Sequence, residues 1–125
     1  MAIIIEFHAG SLTIVVEPVS SLPSLEPFTV HLTRSEFLIL KELASHQGEH
    51  LSKEHLTHIG WPHSYVGPNS LNMSIMSLRK KLSILGGFWE ISTIQRLGYS
   101  LNRTVRHRHT QIKIAHFGQI GSVEY

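Results

Sequence analysis

Between Asn69 and Leu85 the chain reads NSLNMSIMSLRKKLSIL, and the side chains there that can do chemistry are amides, hydroxyls, thioethers and cations. Placed on a helix at about 100° per residue, Met73, Met76, Ser77 and Lys80 share one side, flanked by Asn72, Arg79 and Ser83. Leu71, Ile75, Leu78 and Leu82 recur at i, i+4, i+7 and i+11 on the other side and form an apolar stripe. No residue of the stretch is acidic. Such a helix is held by its apolar back and turns hydrogen-bonding groups and positive charge toward a polyanion. An ordinary amphipathic surface helix has the same pattern, so the stretch alone leaves both readings open.

A reaction centre is hard to assemble from the rest. There is no aspartate, no cysteine, no Gly-rich phosphate loop and no G-x-S-x-G elbow, so an enzyme is not expected. Ten histidines invite a metal site, and His55 and His58 stand at i, i+3. Without cysteine, and with only Glu54 as a nearby carboxylate, neither zinc nor any other cofactor is expected. The histidines read as surface residues whose near-neutral titration leaves pH sensing open.

The 125 residues suffice for one domain with a single modest core. The absence of cysteine fits a reducing compartment. Runs such as Ile3–Ile5 and Leu12–Val16 are far short of the ~20 apolar residues that span a bilayer, and the N-terminus lacks the basic region of a signal peptide. Charge is lopsided: residues 1–60 hold three Lys/Arg against seven glutamates, and residues 61–125 hold eight against two. A basic half beside an acidic half points to a directed electrostatic face, for nucleic acid or an anionic membrane, unless it is chance clustering.

The elements that must position the 69–85 helix can be read in order. Ala2–Phe7 and Ser11–Glu17 are rich in β-branched residues around His8-Ala9-Gly10 and predict a hairpin. Pro18 to Pro27 predicts a loop, and the alternating Phe28–Leu32 a further strand. Thr33-Arg34-Ser35-Glu36 is a capping box, opening a helix that buries Phe37, Leu40, Leu43 and Ala44 and stops near Gly48. Ser52 can cap a short second helix through Ile59, ended by Trp61-Pro62; Asn69 or Ser70 is the expected cap of the third. Gly86-Gly87 breaks that helix, and Phe88–Gln95 and Tyr99–Leu101 form a hairpin around Arg96-Leu97-Gly98. For Arg103–Tyr125 a basic start is clear, while strand, linker or disorder all remain open for its later part.

Sheet, three helices and hairpin, with a longer basic third helix, is the order of a winged helix-turn-helix. The residues LTRSEFLILKELASHQGEHLSKEHL, then W, then SLNMSIMSLRKKL, then STIQRLGYSL, resemble the OmpR/PhoB-type winged-helix domain of bacterial transcription regulators over roughly Phe28 to Asn102. The expected fold is therefore α+β: an N-terminal antiparallel sheet (1–32), helices (33–85) and a wing (88–101) in a domain of residues 1–102. Residues 103–125 are then a basic tail or linker.

The resemblance implies sequence-specific binding of double-stranded DNA. It places base-edge contacts on Asn72, Met73, Met76, Ser77 and Lys80, and the chemistry of most of them agrees: Asn pairs with adenine, Ser with either kind of base, and Met packs on a thymine methyl. Met73 and Met76 lie off the apolar stripe and are expected to be exposed. Arg79 and Lys81 are expected on phosphates, with Lys53, Trp61, Thr93 and Tyr99 also at the DNA backbone and Gln95 and Arg96 in the wing. Trp89 is expected to be structural. Family members often carry arginine where this chain has Ser77 and Gln95, so their sequence preference does not transfer.

Arg96 in place of the usual wing glycine, with S-L-R-K in helix three, looks like the ToxR-like branch. Members of that branch carry this domain first, without a receiver, and many are tethered to the inner membrane by a later helix. The chain is thus expected to be a cytoplasmic relative or the cytoplasmic part of a longer, tethered protein. The family's habits further imply weak head-to-tail pairing on direct repeats, and contact with RNA polymerase through Trp61–Pro68. The main alternative is a protein-interaction module, an anti-activator or docking domain, that kept the winged helix and lost DNA binding. It should carry acids on the outward side of helix three, and there are none. A membrane-surface binder would need a bulky exposed apolar helix face.

Overall fold

Alternation builds the first layer. In β1 (Ala2–His8) the residues Ile3, Ile5 and Phe7 are buried and their neighbours are not. It pairs antiparallel with β2 (Thr13–Pro18), Ile5 opposite Val16 and Phe7 opposite Ile14, and β2 pairs in turn with β3 (Phe28–His31). The computed structural model describes residues 2–18, 27–105 and 110–118. Most of the expected 18–27 loop, residues 106–109 of the basic tail and everything after Gly118 lie outside the described residues.

α1 (Arg34–Ser45) begins as its capping box requires. Thr33 accepts from the Glu36 amide through Oγ1 at 3.2 Å, and Glu36 Oε1 accepts from the Thr33 amide at 2.8 Å. Ser52 caps α2 (Lys53–Gly60) through the His55 amide at 3.0 Å. α3 (Pro68–Ile84) departs from expectation at its start. Its cap is Gly67, with no side-chain cap bond, and Pro68 opens the first turn. Proline suits that place because its missing N–H would be unpaired there and its φ is already helical. Asn69 and Ser70 are therefore inside the helix.

The three helices close on the wing sheet, ordered β4-β6-β5: β4 (Leu51–Ser52), β5 (Trp89–Ile94) and β6 (Gly98–Arg103). The two-residue β4 carries too short a pattern to be read from sequence. The stripe Leu71, Ile75, Leu78 and Leu82 is buried, each side chain contributing about 1.5–3 kcal/mol. It joins one core with Phe7, Phe37, Leu40, Leu43, Leu56, Trp89 and Leu101. Phe7 and Phe37 meet edge to face at 5.7 Å between centroids.

A second departure is β7 (Gln111–Phe117), which pairs parallel with β1 from Ala2 opposite Gln111 to His8 opposite Phe117. The first sheet is thus β3-β2-β1-β7, antiparallel through its first three strands and mixed at its far edge. His8 stacks on Phe117 at 4.7 Å, and Phe7 meets His116 at 5.3 Å. Residues 111–117 therefore belong to the sheet and are not a linker. No helix among the described residues is long and apolar enough to cross a membrane.

Candidate nucleic-acid interface

The apolar stripe fixes how α3 rotates, and so which residues it turns outward. Asn69, Asn72, Met73, Met76, Arg79 and Lys80 are exposed, with Met73 63% and Met76 57% accessible. Two methionines left that open on the side opposite the buried stripe are available to an apolar partner. Asn69 sits at the centre of this face, between Asn72 and Met73 around the helix. From sequence it reads as a cap residue, but inside the helix its amide donates to Met73 Sδ at 3.7 Å.

One flank of the helix is tied to the wing. Arg79 donates to the Ile91 carbonyl from Nε at 3.1 Å and from Nη2 at 2.8 Å, and Nη2 reaches Thr93 Oγ1 at 2.8 Å. Its guanidinium carbon stands 5.9 Å from the Tyr99 ring centroid. Tyr99 is buried at 5% and donates its hydroxyl to Asn72 Oδ1 at 3.2 Å. Arg79 is thus a clamp between α3 and β5 that remains exposed to solvent. Tyr99 lies beneath the face, which leaves its ring no reach to a phosphate. Thr93 is exposed but already holds Arg79.

The other flank faces α1. Lys81 Nζ meets Glu36 Oε1 at 2.6 Å, and the Glu36 side chain is only 4% exposed. The Ser77 hydroxyl lies near Glu36 and helps to keep its carboxylate charged. Burial pushes the Glu36 pKa up, but Lys81, Ser77 and the Thr33 amide together outweigh it and leave the carboxyl below its ordinary value. Lys81 is therefore occupied inside the domain, not held out for a phosphate, and the half-buried Ser77 leans toward α1 instead of the outward arc. At about 100° per residue, Arg79, Lys80 and Lys81 cannot all face one way. Which of them turned inward depended on where α1 lay.

α2 and the wing complete the face. Lys53 opens α2 with an exposed side chain, and its amide donates to the Leu97 carbonyl at 3.2 Å, joining the helix start to the wing turn. Lys53, Trp61 and Asn72 line one groove of about 480 Å³ with Tyr65, Val66 and Leu71. Trp61 is half-buried at the C-terminus of α2. At the wing tip, Leu97 N–H closes a turn on Ile94 O at 2.9 Å, and Gln95 and Arg96 are exposed. Arg96 has φ of 67°, a left-handed conformation that is costly for a residue with a Cβ. Arg96→Gly should therefore stabilise the domain by about 1 kcal/mol while weakening attraction for a polyanion. A melting curve together with a gel shift would separate the two effects.

His55 Nε2 bonds Glu42 of α1, and His58 lines grooves beside Trp61 and Pro62.

The geometry is one surface made of the outward side of α3, the first residue of α2 and the wing turn. Residues 27–101, more than half of the chain, match the family described as "Transcriptional regulatory protein, C terminal". Among solved structures, the C-terminal domain of the lantibiotic response regulator NsrR is 32% identical (TM-score 0.53), with 70% of this chain and 82% of that one covered. The DNA-binding domain of E. coli CadC is 26% identical (TM-score 0.58; 74% and 80% covered). The AdeR DNA-binding domain, solved with an intercistronic region, shares the fold at 18% identity (TM-score 0.65; 79% and 94% covered). The chain belongs to the OmpR/PhoB-type family of transcription-regulator DNA-binding domains.

Proposed function

We propose that the domain reads double-stranded DNA by laying α3 in the major groove while the wing follows the neighbouring backbone or minor groove. The carrying observation is the acid-free outward arc of α3, with two open methionines and Lys80, made continuous with Lys53 and Arg96 through the wing turn. Asn69, Asn72, Met73, Met76 and Lys80 are the base-facing set, Met on thymine methyls and the amides on base edges. Lys53, Arg96, Gln95 and the exposed Arg79 hold phosphates; Trp61 and Thr93 support them. Lys81, Ser77 and Tyr99 are assigned to the scaffold of this face.

The domain works in the bacterial cytoplasm, as a weak head-to-tail pair on direct repeats, and the Trp61–Pro68 turn with its fully exposed Tyr65 faces RNA polymerase. Arg96 at the wing turn favours the ToxR-like branch. The acid-free arc speaks against a docking module that has lost DNA.

Mobility shifts across a salt series test this. Lys53→Ala and Arg96→Ala should each reduce the slope of log affinity against log salt by about one. Met76→Ala and Asn72→Ala should leave the slope alone and cost about 1–3 kcal/mol on the preferred site. An affinity for DNA that does not change between low and high salt would sink the proposal.

A further inference from the structure

The bond between Tyr99 and Asn72 does more than tie wing to helix. A buried phenol needs an acceptor for its proton, and among the described residues the Tyr99 hydroxyl has one hydrogen bond, to Asn72 Oδ1. With the Asn72 amide turned the other way, that proton would lose its one partner among the described residues, so Tyr99 donates and the carbonyl end of Asn72 accepts. The ring cannot swing away, since Arg79 lies over it while holding Ile91 and Thr93. The oxygen of Asn72 is thereby drawn toward the wing, and its NH2 is the end left to a partner outside.

We propose that Tyr99 is a positioning residue for specificity: by holding the oxygen of Asn72 inward, it leaves α3 only the NH2 donor at the base Asn72 reaches, which suits the paired acceptors N7 and O6 of guanine or O4 of thymine and leaves the N6 amino group of adenine, beside its single acceptor N7, without a partner. This rests on the DNA-reading function proposed above. An unrestrained asparagine would pair with adenine, which requires its oxygen and nitrogen to face the same base edge. That edge is unavailable while the oxygen points at a side chain beneath the surface. Tyr99 touches no base itself and acts wholly through Asn72.

Selection from random double-stranded DNA with the wild type, Asn72→Ala and Tyr99→Phe tests it, alongside thermal melting of each protein. Asn72→Ala marks the position that Asn72 senses by flattening the preference there. The wild type should select guanine or thymine at that position. Tyr99→Phe should move the guanine-or-thymine to adenine ratio toward adenine by about five- to tenfold, with the salt slope unchanged. A merely structural tyrosine would weaken all sequences together and leave the base preference intact. Adenine or cytosine selected by the wild type overturns the proposal, even if Tyr99→Phe fails to fold. So does a folded Tyr99→Phe with the wild-type preference, or an Asn72→Ala that flattens no position. Those results leave specific DNA binding standing; a wild type that selects no sequence removes the DNA-reading function and this inference with it.

Discussion

Gly98→Ala should cost about 3 kcal/mol and lower the melting temperature by roughly 10 °C. Gly98 pairs with Ser52 across β4 and β6, and a Cβ on it would overlap the Leu51 carbonyl oxygen while standing 2.9 Å from Leu51 C and Ser52 Cα. These are backbone atoms, so no rotamer change relieves the clash, and one strand must leave the other. Ser52 is also the cap of α2, and the neighbouring Lys53 amide is held by Leu97. The start of α2 and the wing turn would be displaced together, so DNA affinity should fall even for the folded fraction. Gly10→Ala is the control: nothing lies within 4 Å of the added carbon, and the change should stay within about 0.5 kcal/mol. Equal melting temperatures for the two variants would show that the β4–β6 approach is looser than described.

Lys81→Met is the second large effect, at about 2–3 kcal/mol. Removing one partner of a fully buried pair costs about 3–5 kcal/mol; here Lys81 keeps 27% of its side chain exposed, so water softens the loss. Glu36 would be left charged, 4% exposed and without its cation, while still serving the start of α1. Glu36→Gln in the same protein should recover part of the stability, because glutamine keeps the cap and drops the stranded charge. The pH dependence has a definite sign. The Glu36 pKa is lowered on folding, so the pair's contribution is fully present above the ordinary carboxylate value of 4.5 and is lost as pH falls through the folded value. Denaturant titrations at pH 7 and pH 3.5 should show a larger acid loss for the wild type than for the double variant. An identical pH dependence in both would remove Glu36 from the account.

These cases also mark what the sequence carries. Thr33 with Glu36, Ser52 before α2 and the Leu71/Ile75/Leu78/Leu82 stripe were legible because cap and stripe are local, set by residues a turn apart. The exposure of Met73 and Met76 followed from the stripe alone. Lys81 read as a surface cation because its partner is 45 positions away on another helix. Tyr99 read as a wing contact because nothing near it shows that its ring turns under Asn72, 27 positions earlier. Asn69 was spent on a cap that Gly67 and Pro68 provide. The strand Gln111–Phe117 alternates too weakly to be told from linker, since an edge strand has a buried neighbour on one side only.

That strand also shapes the order in which the domain can assemble. The β5–β6 hairpin and the β1–β2 hairpin join residues close in sequence, so their loops close in microseconds. The register of Ala2 on Gln111 joins positions 109 residues apart, and loop-closure entropy makes such a contact slow to reward. During synthesis β1 therefore waits with one open edge until nearly the whole domain has been made. Sealing that edge is therefore a late step of assembly.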